Sequence, residues 1–185
     1  MAANNLSLFD TSIPPMIIYL RNLDYLLTTA QAHLAANSLP DSDFLTARIA
    51  PDMFPLPFQI RSACTSAEGV VSRVLGLEVP PRAGDETTFE QLHSRIATTI
   101  SLLEREVKRE AFDGAGTREV EFRGLKWSGL GYVTEFAMPN FYFHVVCAYM
   151  IFRGKGVNIG KYDYLLGTKA AEARAAMAAN AAAPK

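Results

Sequence analysis

His144 is the residue of this chain best placed for acid–base chemistry. An imidazole is the side chain that titrates nearest neutrality, and His144 ends an aromatic run, Asn140-Phe141-Tyr142-Phe143-His144. Helical spacing puts it on one face with Phe141, Ala148 and Ile151, so it should point inward. The two remaining histidines, His33 and His93, fall on two other predicted helices, at the edges of their apolar stripes. An antiparallel bundle could bring all three together. Each one alone is more commonly a core-edge histidine held by a single hydrogen-bond partner.

Asp52 is the candidate carboxylate. It stands in a corner stiffened by Pro51, Pro55 and Pro57, close to the start of a helix. There it would cap that helix, or orient an imidazole, or act as a base. Tyr142 and Tyr149 crowd the helix that carries His144. They are core residues, or their hydroxyls serve a ligand. Together His144, Asp52 and His33 form the candidate catalytic set, and Phe141, Tyr142, Tyr149 and His93 the candidate ligand-binding set. An aromatic-walled pocket with a few polar groups suits a small hydrophobic or aromatic molecule.

Four long helices should position these residues. The first begins near Ser12, with Pro14 and Pro15 in its opening turn, and runs to Leu39-Pro40. A short helix follows Asp41 or Ser42. A second long one spans about 57–75, with the stripe Ile60, Ala63, Ala67, Val70, Val74 and a stop at Gly76. A loop marked by Pro80-Pro81 and Gly84-Asp85 leads to a third, opened by the capping box Thr88-Phe89-Glu90-Gln91. Val120 and Phe122, then Leu125 and Trp127, alternate with charged residues around Arg123-Gly124, which predicts a small hairpin. Ser128 caps the approach to the last core helix, which Pro139 kinks or starts and which ends near Gly154. Residues 1–167 read as one domain. The Ala-rich stretch 168–185 reads as a frayed helix or disordered tail.

Composition narrows the function classes. The chain has 185 residues, 49% hydrophobic and 20% charged, with a formal net charge of −1. That is a globular composition with no basic field for nucleic acid and no polybasic membrane patch. The segment 136–152 is too short and too polar to span a bilayer. Cys64 and Cys147 sit apart in apolar patterns and read as buried free thiols. The first residues lack a basic region before an apolar run, so a secretory signal is not expected and a cytoplasmic location is. No H-E-x-x-H, G-x-S-x-G, phosphate-binding loop or dinucleotide glycine fingerprint occurs.

Several motifs occur together in order: Ser7-Leu-Phe-Asp-Thr-Ser-Ile-Pro, Ala32-His33, Ala50-Pro-Asp-Met-Phe-Pro-Leu, Asp85-Glu-Thr-Thr-Phe, Pro139-Asn-Phe-Tyr-Phe-His144 with Ala148-Tyr149, and Ile159-Gly-Lys-x-Asp. In this the chain resembles an uncharacterised domain-of-unknown-function family grouped with the DinB/YfiT-like putative metalloenzymes, over residues 6–166. The resemblance implies an all-α, up-down-down-up four-helix bundle with a hairpin insertion before its last core helices, often a homodimer. It also implies a divalent-metal site with one histidine from the second helix and an H-x-x-x-H pair on the last. His144 matches the first member of that pair. Ala148 stands where the second would be, and Thr65 and Ser66 occupy the second-helix region.

The expected function is therefore a small-molecule pocket needing no cofactor, with His144 as acid or base. Asp52 or His33 would orient it, and Tyr142 or Tyr149 would donate to a substrate oxygen. Isomerisation, dehydration or cyclisation would suit such a site. Two alternatives stand beside it: a metal-dependent hydrolase or thiol-transferase, and a non-enzymatic dimeric binding protein.

Overall fold

The computed structural model describes residues 6–182. The extreme N-terminus, read above for a leader, and the last three residues of the tail lie outside the described residues.

Helix α1 spans Leu8–Asn37. It starts a turn earlier than expected because Ser7 and Asp10 form a capping box: the Ser7 amide donates to Asp10 Oδ2 at 2.9 Å, and the Asp10 amide to Ser7 Oγ at 3.4 Å. Pro14 and Pro15 thus lie inside the helix, where each removes one backbone donor. Helix α2 (Ser42–Leu45) leads to the proline corner. Helix α3 (Leu56–Gly69) continues through a wider π-helical turn, Val70–Val74, and stops at Gly76, which adopts φ +70°. Helix α4 (Phe89–Arg105) opens on the expected Thr88–Gln91 capping box.

Strands β1 (Glu119–Phe122) and β2 (Leu125–Ser128) form the hairpin, with Phe122 opposite Leu125. Arg123 and Gly124 both take positive φ, 55° and 75°, as the two-residue turn requires. Ser128 caps the short α5 (Gly129–Gly131), which runs through a second π-helical stretch, Tyr132–Ala137, into α6 (Met138–Gly154). The wider turns accommodate Pro139 without breaking the helix. Helix α7 (Lys161–Leu166) packs on α1, and α8 (Ala170–Ala182) follows. The Ala-rich stretch is thus a helix, tied to the domain by the Arg174–Asp163 ion pair.

Cross-helix contacts fix the topology. Gln59, Ser66 and Arg73 of the α3 segment meet His144, Asn140 and Tyr132 in reverse order, so α3 and the α6 segment are antiparallel. Arg21 pairs with Glu104, and Asp24 and Gln31 with His93, so α1 and α4 are antiparallel too. Tyr19 packs on Tyr142 and His33 reaches Gly156, so α1 and α6 run together. Helices α3 and α4 are consequently parallel, and the long connection 75–88 crosses between them. This is the up-down-down-up bundle. Its core includes Met16, Leu20, Leu23, Ile60, Ala67, Leu92, Ile96, Phe141 and Ala148, all fully buried.

Candidate functional site

The polar face of α3 builds the site. Arg61, Thr65, Gly69 and Arg73 recur every fourth residue and form one stripe beside Ser62 and Ser66. Such a stripe normally faces water. Here the α3–α4 connection and the β-hairpin rise beside it, leaving a cavity of about 620 Å³ that is open to solvent on one side. Helix α3 contributes Phe58, Arg61, Ser62, Thr65 and Ser66 to its wall. Across from it, Tyr132, Phe136, Asn140 and His144 line the α6 side, the last three again four residues apart. Arg95, Arg82 and Gly84 close one flank, Phe122 and Arg123 of the hairpin another, and Phe54 stands at the rim.

His144 is in this cavity, and its surroundings set its chemistry. Gln59 Nε2 donates to the Phe54 carbonyl at 2.8 Å, which turns Gln59 Oε1 towards the ring. That oxygen lies 2.8 Å from His144 Nδ1 and can only accept, so Nδ1 carries the proton. Nε2 then keeps its lone pair, and among the described residues no side chain bonds to it. Burial holds the imidazole pKa below its ordinary value. The group is a neutral base with a fixed tautomer. Phe58 packs edge-on against the ring at 5.9 Å.

Five arginines and no carboxylate face the cavity among the described residues. Behind the wall, buried Glu68 accepts from Arg95 Nη2 at 2.9 Å and from the Thr99 hydroxyl at 2.9 Å, and pairs with Arg82 at 3.2 Å. Glu86 pairs with Arg95 and Arg61 at 3.4 and 3.8 Å. At the far end Arg73 Nη1 donates to the Tyr132 hydroxyl at 3.0 Å. Burial raises the Tyr132 pKa, partly offset by Arg73.

The other expected site residues lie elsewhere. Asp52 is exposed in its corner and neither lines the cavity nor caps α3, whose N-cap is Pro55. The partner that orients His144 is Gln59, not Asp52 or His33. His33 sits by Phe44 and Gly156, and His93 links α4 to Asp24 and Gln31 at 2.5 and 2.8 Å. The three histidines do not converge, because α1 and α6 present theirs to different neighbours. Tyr142 lies two residues from His144, about 200° around the helix, and so faces away. It packs on Tyr19 at 4.9 Å, while Tyr149 meets Tyr164 at 6.0 Å. Burial, reinforced by the neighbouring Tyr19 and Tyr142, pushes Tyr164 up to about 12. Phe141 is wholly in the core. Both cysteines are free and buried, and burial pushes the Cys64 thiol up to about 12, which leaves it protonated and inert.

A family model for a domain of unknown function, DUF1993, matches residues 8–165. The chain belongs to the DUF1993 family. A crystal structure of a DinB family member protein from Shewanella denitrificans is similar to it at 32% identity and a TM-score of 0.82, over 85% of this chain and 91% of that one. No curated protein matches the chain. The DinB-like fold is thereby shown, and the family carries no assigned activity.

A divalent metal does not fit the residues around His144. Among the described residues no three His, Cys, Asp or Glu side chains gather to hold one. The α6 position one turn on is buried Ala148, and the facing α3 groups are Ser62, Ser66 and a guanidinium, Arg61. Neutral hydroxyls and a cation are poor company for an imidazole ligand to zinc or nickel. Among the described residues no helix is long and apolar enough to cross a membrane.

Proposed function

We propose that this DUF1993 protein binds a small molecule in the α3–α6 cavity and that His144 serves there as a metal-independent general base, returning the proton as an acid. The observation that carries the reading is the Phe54–Gln59–His144 relay, which leaves the Nε2 of a cavity-lining histidine with a free lone pair. A base of this kind suits proton abstraction and return within one substrate, as in isomerisation, dehydration or cyclisation. Phe54, Phe58 and Phe136 would hold the apolar body. Asn140 and the serine hydroxyls would address its oxygens.

The test is the imidazole itself. Two-dimensional ¹⁵N NMR of His144 should show the Nδ1–H tautomer and a titration midpoint below that of a free histidine. In Gln59→Leu the tautomer preference should disappear. A ring protonated at Nε2, or charged at pH 7, would end the proposal. The same depressed pKa makes stability acid-sensitive. The unfolded chain binds this proton first, so stability should fall as pH drops through about 6.5, the unfolded value, until the folded ring also protonates. His144→Gln should remove that component of a urea-unfolding pH series.

The partner we propose is a second copy of the chain. Phe143, Val146 and Met150 form an exposed apolar stripe along the outer side of α6, at helical spacing. Sedimentation should find a dimer at micromolar concentration, and Phe143→Glu with Met150→Glu should return it to a monomer. A monomeric wild type would remove this assignment.

A further inference from the structure

The end of the cavity remote from His144 is built differently from the rest. Arg73 and Arg123 both flank the Phe122 ring, their guanidinium carbons 4.1 and 5.3 Å from its centroid. The acids behind the wall, Glu68 and Glu86, pair with Arg61, Arg82 and Arg95. Arg73 and Arg123 have no carboxylate partner among the described residues. Because the Tyr132 hydroxyl accepts from Arg73, its own proton is free to donate. Among the described residues this corner therefore offers donors and positive charge and no carboxylate.

Three backbone features hold it. Gly69 leaves the space that Arg73 Nη1 and the Tyr132 hydroxyl occupy, since a Cβ there would strike both. Arg73 and Tyr132 each lie in one of the two π-helical stretches, a local irregularity frequent at functional sites. Arg123 holds positive φ in the hairpin turn, a conformation that an Asn or Gly would adopt at less cost, and this aims an arginine at the cavity. Arg73 is partly buried and Arg123 stands exposed at the rim; guanidiniums without acids gain charge-assisted hydrogen bonds once an anion joins them.

We propose that the cavity takes an elongated ligand ending in an oxyanion, seated by Arg73, Arg123 and the Tyr132 hydroxyl, with its apolar body extending along α3 towards His144. This rests on the small-molecule reading given above. From Gln59 to Arg73 the helix rises about 20 Å at 1.5 Å per residue, so the acidic end and the reacting end are far apart. Carboxylate and phosphate monoester share the required chemistry.

Calorimetric titration of the full chain with graded phenylalkanoates, phenylalkyl phosphates and the matching neutral phenylalkanols tests it. Wild type should bind an anionic member at least about tenfold more tightly than its alcohol, the scale of charge-assisted hydrogen bonds. Preference for the carboxylate or the phosphate series identifies the end group. Arg73→Gln with Arg123→Gln should bring acid and alcohol within about twofold of each other, while Arg105→Gln, outside the cavity, should keep the preference. If the double variant does not fold, Arg123→Gln alone, on an exposed turn, should lower the preference about threefold. Equal binding of acid and alcohol by wild type, or an undiminished preference in the arginine variants, overturns the inference and leaves the role of His144 standing. If no series binds, both fall.

Discussion

Glu68→Ala is expected to destabilise the protein by about 3–5 kcal/mol, the cost typical of breaking a buried ion pair from one side. Glu68 and Arg95 are only 7% and 6% exposed. Both Glu68 oxygens are used, one by Arg95 and the other by Thr99, with Arg82 alongside. Removing the carboxylate leaves Arg95 charged in the core beside Thr65 and a longer contact to Glu86. Its guanidinium cannot escape by losing a proton. The damage reaches the site, because Arg82 and Arg95 form one flank of the cavity. In a domain of this size the loss should lower the melting temperature by about 10 °C. Urea unfolding gives the free energy directly. Replacing Glu68 and Arg95 together by leucine should recover most of it, since the penalty lies in the orphaned charge. A Glu68→Ala midpoint indistinguishable from wild type would mean that water reaches Arg95.

Asp163→Asn is expected to cost about 1–3 kcal/mol, through charge-assisted hydrogen bonds to a buried carboxylate whose Arg174 partner is solvent-screened. Asp163 is buried at the start of α7. It accepts from the Gly160 amide at 2.7 Å, from Arg174 at 2.7 Å and from the Tyr25 hydroxyl at 3.1 Å, joining α7 to α8 and α1. Burial pushes its pKa up, but bonds from Arg174, Gly160 and Tyr25 outweigh burial and hold the carboxyl below its usual value. A depressed folded pKa means that the unfolded chain takes up the proton first on acidification. The contribution is therefore complete above about pH 5. It is lost as pH falls from the unfolded value of about 3.9 through the folded one. Wild type and Asp163→Asn should differ fully at pH 7 and converge in acid. A constant difference across that range would rule out the carboxylate as its origin.

Much of the architecture was legible in local pattern. The Thr88–Gln91 box, the Arg123-Gly124 turn, the Gly76 stop and the helical stripes are short-range signals, and each appears where expected. Helix α1 starts before the turn that Pro14 and Pro15 suggest, because Ser7 and Asp10 supply the stronger cap. The π-helical turns leave no comparable mark, since their hydrogen-bond shift answers to packing and not to composition.

The amino-acid sequence by itself determined the bundle, the hairpin and the inward face that carries His144, because helical period and turn chemistry act over a few residues. Tertiary structure alone decided what His144 meets. The proline corner turns Gln59 to its Nδ1, leaving Asp52 in solvent. Angular position sends Tyr142 and Tyr149 of α6 to the opposite side and keeps Asn140, with Phe136 of the preceding π-helical stretch, at the cavity. The Arg61, Thr65 and Arg73 stripe of α3 is a cavity wall only because the crossover and hairpin stand beside it. Whether a polar stripe is surface or cavity wall depends on segments distant in the chain, and no local pattern records that.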